Sequence, residues 1–461
     1  MIRCDLGEVK GIGVLPDDVL LEIFYFYMET YALYSSQTRT EAWQSLVHVC
    51  RRWKDLVLGS PRRLDLHLYC TSETPARDAL DAWPALPLIV EGEMSSSGTE
   101  NVIAALGQSN HVCRVSFSRL AARQLEEVLV AMQVPFPELE ELRLRLYSNG
   151  VTQPVIPDSF LDGFAPRLRI FELDGIPFPG LPKLLSSSNH LVTLLLTNIP
   201  HSGYIPPEAI VALLSVLSSL KKLTLEFGSP QSRPDWEIRR LPPSERSVIP
   251  ALISFHFKGV IEYLEDLVTC IDAPQLNNMY INFFDQIDFN IPRLAQFINS
   301  TPEFTKPNAH VQFGDYRARV VLSPRPRTLE IVISCRKPDR QLSSIEQVCN
   351  SSLNPLSTVE VLYIEHQYAA LVWKGDAIEN TLWLRLLLPF TAAKYLYLSK
   401  EYAPGIAAAL KELVGDRITE VLPSLQNIFV EGPSGPFQEN IGPFVAARRL
   451  SDHPIAIYDW E

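Results

Sequence analysis

The stretch Leu191-Val192-Thr193-Leu194-Leu195-Leu196 sets the pattern for most of this 461-residue chain. It reads L-x-x-φ-x-φ, where φ is an apolar residue. Alternating apolar residues over so few positions indicate a short strand with one buried face. Between consecutive copies the middle φ residue advances by 29, 23, 29, 32 and 24 positions. The six copies begin at Leu139, Leu168, Leu191, Leu220, Leu252 and Leu276.

A strand of this kind at this period is typical of leucine-rich repeats. One unit cannot bury its apolar side alone, so neighbouring units stack and share a sheet. We therefore expect an α/β fold, an irregular leucine-rich-repeat solenoid over residues 61–461 with a curved parallel sheet and helices and loops outside. An ordinary α/β domain is the alternative, because the step length varies and the Asn or Cys that usually ends the motif is mostly absent. Later copies are centred on Leu362, Leu396 and Ile428.

The repeat register is lost between Ile281 and Val359. Two strand-like segments, 317–322 and 328–334, lie there on either side of Pro324-Arg325-Pro326. Because Pro cannot donate a hydrogen bond to a strand ladder, it belongs in the connection. The sequence therefore indicates an inserted hairpin within residues 311–335.

The composition is that of a globular protein, with 46% hydrophobic and 20% charged residues. A formal charge of −12 disfavours nucleic acid and anionic membranes as partners, because both bind cationic surfaces. Seven scattered cysteines without a C-x-x-C pair indicate reduced thiols. With no secretory signal and no apolar run long enough to span a membrane, we expect a cytoplasmic or nuclear protein.

Motifs for catalysis are missing from the sequence. It contains no phosphate-binding loop, no G-x-S-x-G and no H-E-x-x-H, and its nine histidines form no pair at metal-ligand spacing. We therefore expect a chain that is not an enzyme and that uses neither a cofactor nor a metal.

The N-terminal region contains two apolar helical patterns. The first is Leu15-Pro16-Asp17-Asp18-Val19-Leu20-Leu21-Glu22-Ile23-Phe24, where Pro16 suits the first helical position and the two aspartates favour the helix dipole. A second helix is predicted from about Glu41 to Gly59, apolar on more than one side. Part of this surface must meet the following domain or another protein. The plainer alternative is a helical hairpin that only caps the repeats.

The pairs Leu15-Pro16, Val19-Leu20 and Ile23-Phe24, followed by Val49-Cys50-Arg51-Arg52-Trp53, resemble the F-box, a small helical module that docks on the Skp adaptor of cullin-type ubiquitin ligases. The resemblance covers residues 12–60, after a tail at 1–11. It departs from the family at 28–40, which is longer than usual and lacks the common Leu-rich middle helix.

The chain is also similar, more narrowly, to the F-box proteins abundant in mushroom-forming fungi. The residues that carry this likeness are Pro61-Arg62-Arg63-Leu64-Asp65-Leu66 and Trp83-Pro84-Ala85-Leu86-Pro87.

The F-box resemblance implies a non-catalytic substrate-recognition subunit of an SCF (Skp-cullin-F-box) ubiquitin ligase, with the Skp adaptor, and through it cullin, as partners. A non-catalytic leucine-rich-repeat scaffold that acts without cullin is the alternative. The residues implied to face the adaptor are Leu15, Pro16, Val19, Leu20, Ile23, Phe24, Val49 and Trp53.

A protein target would bind the exposed face of the repeat sheet. The residue between the two φ positions points to that face, because side chains alternate along a strand. Aromatic residues at these positions, with carboxylates nearby, are typical of a protein-binding surface. The alternative is that the rings only pack against one another. The candidate target-binding residues are Tyr280, Tyr363, Tyr397, Phe429, Glu365 and Glu431.

Overall fold

The chain forms two compact units in a computed structural model, residues 1–170 and residues 171–461. The residues that the structure describes are 15–32, 36–73, 83, 86–94, 98–147, 153–230, 246–301, 304, 307–323, 328–367, 380–432 and 435–460.

Unit 1 begins with three helices, α1 (Asp17–Ala32), α2 (Ser36–Val47) and α3 (Arg51–Gly59), called here the helical module. The sequence predicts one helix from Glu41 to Gly59, whereas the structure has two. Cys50 between them is extended, with φ −159° and ψ 168°. The polar segment 36–40 forms the first turn of α2. The hydroxyl of Thr40 and the indole N–H of Trp43 both donate to the carbonyl of His67, which anchors this helix to the chain entering the first strand.

Four parallel strands follow in unit 1 and pair in chain order. Helix α4 (Thr99–Leu106) precedes the third strand, and α5 (Ala122–Ala131) connects the third to the fourth. Leu142 and Leu144, both φ positions of the motif, are fully buried. The strands are β1 (Leu68–Cys70), β2 (Leu88–Glu93), β3 (Val112–Leu120) and β4 (Glu141–Leu146).

Unit 2 contains the remaining strands and helices. Its strands are β5 (Ile170–Asp174), β6 (Thr193–Ile199), β7 (Lys222–Phe227), β8 (Ser247–Val248), β9 (Ser254–Gly259), β10 (Ile271–Asp272), β11 (Asn278–Phe283), β12 (Asn308–Phe313), β13 (Ala318–Ser323), β14 (Thr328–Ile333), β15 (Val361–His366), β16 (Tyr395–Leu398), β17 (Asn427–Glu431) and β18 (Ala456–Trp460). Its helices are α6 (Leu181–Leu185), α7 (Pro207–Val216), α8 (Ile261–Cys270), α9 (Pro292–Asn299), α10 (Pro338–Cys349), α11 (Asn380–Leu387), α12 (Ala403–Lys411) and α13 (Gly435–Leu450).

Unit 2 has the predicted leucine-rich-repeat architecture. Its main sheet runs β5-β6-β7-β9-β11-β14-β13-β12-β15-β16-β17-β18, while β8 and β10 form a separate parallel pair. Equivalent φ residues lie side by side, so that Leu223 pairs with Leu194 on one strand and with Phe255 on another. All three of these side chains are fully buried. The repeated motif therefore encodes a continuous core on one face of the sheet, and the residue between the φ positions faces the other way.

An inserted antiparallel unit explains the lost register. After β11 and α9 the chain places β12 three positions further along the sheet, and β13 and β14 run back to fill the two positions between them. Strand β13 is antiparallel to both β12 and β14, whereas β14 is parallel to β11 and β12 is parallel to β15. Three strands therefore stand between β11 and the next ordinary repeat strand, β15.

Candidate interaction surfaces

Helix α1 has two apolar faces. The face turned to the other helices contains Leu20, Leu21, Phe24 and Met28, all at most 6% exposed. Val19, Ile23 and Phe26, called here the α1 apolar face, follow helical spacing on the opposite side and are 42%, 44% and 66% exposed. An isolated exposed apolar residue is ordinary, but a row of three along one helix is typical of a docking surface.

The residues implied to face the adaptor divide between this surface and the core. Pro16 and Val49 are exposed, and Leu15 is half-buried. Trp53 is also half-buried, with its ring centroid 4.7 Å from that of Phe24. Leu20 and Phe24 lie in the core of the helical module and present no surface. Phe26 is exposed and was not selected from the sequence, although its spacing of three residues from Ile23 identifies it.

Ion pairs hold the start of α1. The guanidinium of Arg52 lies 2.6 Å from the Asp17 carboxylate and donates to the carbonyl of Leu15 at 2.7 Å. Arg63 pairs with Asp18 at 3.0 Å and with Glu22 at 2.9 Å, and its hydrogen bonds to Glu22 and Asp18 raise its pKa. These pairs are largely exposed, so we expect each to contribute little stability. They do fix the position of the first turn, from which the α1 apolar face projects.

Five stacked rings lie on the exposed face of the unit 2 sheet. His310 and Tyr363 have centroids 4.4 Å apart, Tyr363 and Tyr397 4.5 Å, Tyr397 and Phe429 4.4 Å, and Phe429 and Tyr458 5.1 Å. The planes of neighbouring rings differ by 5° to 21°. We call these five residues the aromatic ladder.

Strand register produces the ladder. Each of its residues is aligned with the next across β12, β15, β16, β17 and β18. Neighbouring strands are about 4.8 Å apart, so rings at one register position meet face to face. His310 and Tyr458 were not selected from the sequence, because neither lies in one of the recognised motif copies.

Tyr280 lies outside the ladder. The sequence groups it with the other three aromatic residues, but β14, β13 and β12 separate β11 from β15. Tyr280 is aligned instead with Glu330 and with His256, whose ring centroid is 5.6 Å away. The grouping fails because chain order does not give strand order at the insertion.

Carboxylates accompany the ladder on the same face. Glu365 accepts a hydrogen bond from the Gln312 amide at 2.7 Å, and its Oε2 lies 3.3 Å from Nδ1 of His310. The hydrogen bond from His310, with that from Gln312, holds the pKa of Glu365 below its usual value despite partial burial. Glu431 is half-buried and aligned with Trp460.

No site for metal chemistry is evident in the described part of the chain. No three His, Cys, Asp or Glu side chains there are grouped to hold a metal ion. Burial raises the pKa of Cys70 to about 11, and burial likewise raises that of Cys113 to about 12, which disfavours the reactive thiolate. No helix among these residues is long and apolar enough to cross a membrane.

Comparisons with known proteins give little beyond the fold. No family model matches the sequence, and no curated protein matches it. One similar solved structure is the leucine-rich repeat-containing protein LegL7 from Legionella pneumophila, at 13% identity and a TM-score of 0.27. The match covers 84% of this chain and 98% of that one. The leucine-rich-repeat architecture of this protein rests on its own strand pairing and not on this neighbour.

Proposed function

We propose that this chain is the substrate-recognition subunit of an SCF ubiquitin ligase, bridging the Skp adaptor to a protein target. The α1 apolar face is the observation that supports this most. Val19 and Ile23 belong to the F-box-like pattern, and both are more than 40% exposed on a helix whose opposite face is already buried. Burial of apolar surface of this kind is the dominant favourable term in most protein–protein association.

On this proposal the chain performs no chemistry. The helical module binds the adaptor, the sheet of unit 2 binds the target, and the ligase brings the target to its ubiquitin-charged enzyme. Holding two reactants together raises their effective concentration, which is sufficient to accelerate transfer. The protein would act in the cytoplasm or nucleus. The closer likeness to fungal F-box proteins is part of the same proposal.

The test is binding of purified Skp adaptor to the full chain. Ile23→Asp places a charge on the α1 apolar face and is expected to weaken binding about a hundredfold or more. Ile287→Asp is the matched control, because Ile287 is 79% exposed in unit 2. A second pair is Phe26→Asp with Phe164→Asp, since Phe164 is 51% exposed. Unchanged adaptor binding by both α1 variants would refute the proposal.

Recovery of cullin then distinguishes the proposed ligase subunit from the alternative, a scaffold that acts without cullin. Recovery of cullin together with wild-type chain and adaptor, and its loss with Ile23→Asp, supports the ligase subunit. Binding of adaptor without cullin supports a scaffold that acts outside the ligase. If the adaptor does not bind the wild-type chain at all, the helical module is a cap on the repeats.

A further inference from the structure

Two carboxylates on the exposed face of the unit 2 sheet lack a Lys or Arg partner. Glu365 on β15 and Glu431 on β17 each lie two residues beyond a ladder ring, so they share one register row. Gln312 and His310 both contact Glu365 at Oε2, which leaves its Oε1 without a hydrogen bond to any described residue. Glu431 has neither a hydrogen bond nor an ion pair in the described part of the chain.

The basic residues around this row are engaged elsewhere. The outer-face positions of β12, β15, β16 and β17 contain no Lys or Arg among the described residues. Arg319 on the neighbouring β13 pairs with Glu330 at 2.9 Å, and Lys394, just before β16, pairs with Glu360 at 3.1 Å. The row therefore complements a partner that supplies a positive charge.

A buried hydroxyl lies between the two carboxylates. Ser399 directly follows β16, and its N–H still bonds to the carbonyl of Ile364, so the strand pairing continues through it. By alternation from Tyr397, its side chain is on the exposed face, in the row of Glu365 and Glu431. Ser399 is 5% exposed, and its hydroxyl has no hydrogen-bond partner in the described structure. Buried polar groups nearly always have such a partner, so this hydroxyl points to a ligand.

The three acceptor groups match the three N–H donors of a lysine ammonium. The Cα atoms of Glu365 and Glu431 are about 10 Å apart, two strand spacings, so side chains that lean inward can reach one ammonium. Rotation about a single torsion angle turns the Ser399 hydroxyl toward it without backbone movement. The edges of the Tyr363 and Tyr397 rings lie beside this row and can pack against the alkyl stem. A planar guanidinium fits less well, because it prefers to pair in a fork with one carboxylate.

We propose that Glu365, Ser399 and Glu431 bind a lysine side chain on an extended segment of a partner protein. The ammonium lies between the carboxylates, and the stem lies across the ring edges. This site is on the face that the proposed function gives to the target, so it rests on that function and adds the chemistry of the target segment. Acetylation of the bound lysine removes its charge and abolishes binding.

The probe is a labelled peptide of alternating lysine and serine, which carries its lysines on one side when extended. We expect saturable binding to the full chain at low salt, weakened about tenfold in Glu431→Gln. Glu439→Gln is the matched control, because it removes the same charge from an exposed position on α13 and should leave the affinity unchanged. Ser399→Ala should weaken binding about threefold without lowering the thermal unfolding midpoint, since its hydroxyl has no partner in the described structure.

Three outcomes overturn the proposal. The first is no saturable binding of the peptide by the wild-type chain. The second is equal weakening in Glu431→Gln and Glu439→Gln, which would show attraction by net charge alone. The third is equal binding of a peptide in which every lysine is acetylated, or tighter binding of one in which arginine replaces lysine.

The adaptor takes no part in this experiment, so its result is independent of adaptor binding. Ile23→Asp should bind the peptide as the wild-type chain does. Failure of adaptor binding with normal peptide discrimination overturns only the ligase proposal. Normal adaptor binding without peptide discrimination overturns only the lysine site.

Discussion

The α1 apolar face and the aromatic ladder are both rows of large apolar side chains, but only the ladder is stabilised within its own unit. Neighbouring ring centroids in the ladder lie 4.4 to 5.1 Å apart, so that the ring faces cover one another. Val19, Ile23 and Phe26 on α1 stay 42%, 44% and 66% exposed, and the other face of that helix already fills the core. Phe26 makes an edge contact with its neighbour Tyr25, at a centroid distance of 6.0 Å, which leaves most of its ring uncovered. Exposed apolar residues without an internal stabilising role are better candidates for partner binding than stacked rings.

The largest expected effect distinguishes the two faces of α1. Phe24→Ala removes a 1%-exposed ring that packs on Trp53 and should destabilise the chain by about 3–5 kcal/mol. Ile23→Ala, on the exposed face, should change stability by about 0.5 kcal/mol or less. Denaturant unfolding of the two variants measures both. A similar loss of unfolding free energy in the two variants would show that Ile23 contributes to folding, and it would count against the proposed role of Ile23 in adaptor binding.

The ladder should show coupling between its rings. Tyr363→Ser and Tyr397→Ser each remove two stacked pairs, one of which they share, and a double-mutant cycle should give a coupling energy of about 0.5–1.5 kcal/mol. Tyr280→Ser with Tyr397→Ser is the control cycle, expected to be additive because four strands separate their positions. Lost target binding with zero coupling would mean that the rings serve the partner and not the fold.

The Glu365 carboxylate should give the ladder a dependence on pH. Its folded-state pKa is lowered, chiefly by the hydrogen bond from His310, so its contribution is full above its ordinary pKa of 4.5 and is lost as pH falls through the folded value. Glu365→Gln should lower stability near pH 7 by about 1 kcal/mol, and this difference should shrink under acid conditions. Thermal unfolding of both proteins across that pH range checks the sign.

The smallest effect is expected at the base of α1. Arg52→Ala removes a largely exposed pair with Asp17 and should cost about 0.2–1 kcal/mol, with a smaller difference at high salt. Lys54→Ala is a control on the same helix. If α1 binds the adaptor as proposed, adaptor binding should fall more than stability does, because Arg52 also positions Leu15 at the start of α1. Equal adaptor affinity of the two variants would show that this positioning is unimportant.

Much of the fold was readable from local spacing. The motif leucines Leu191, Leu220 and Leu252 are all fully buried, as the repeat pattern predicts. The same pattern correctly directs Tyr363 and Tyr397 to the exposed face of the sheet. Spacing was less informative on α1, where Ile23 and Phe24 are adjacent and both apolar, yet one is exposed and the other is in the core. Only the packing of α2 and α3 against α1 determines that Phe24 is buried and Ile23 is exposed.

The sequence by itself determined which residues alternate into the core, because side-chain direction along a strand is a local property of the backbone. Only the tertiary structure decided which rings meet. The antiparallel insertion separates Tyr280 from the ladder and aligns His310 with Tyr363. Strand neighbours are chosen by long-range pairing, in which chain order is a poor guide once a segment folds back on itself.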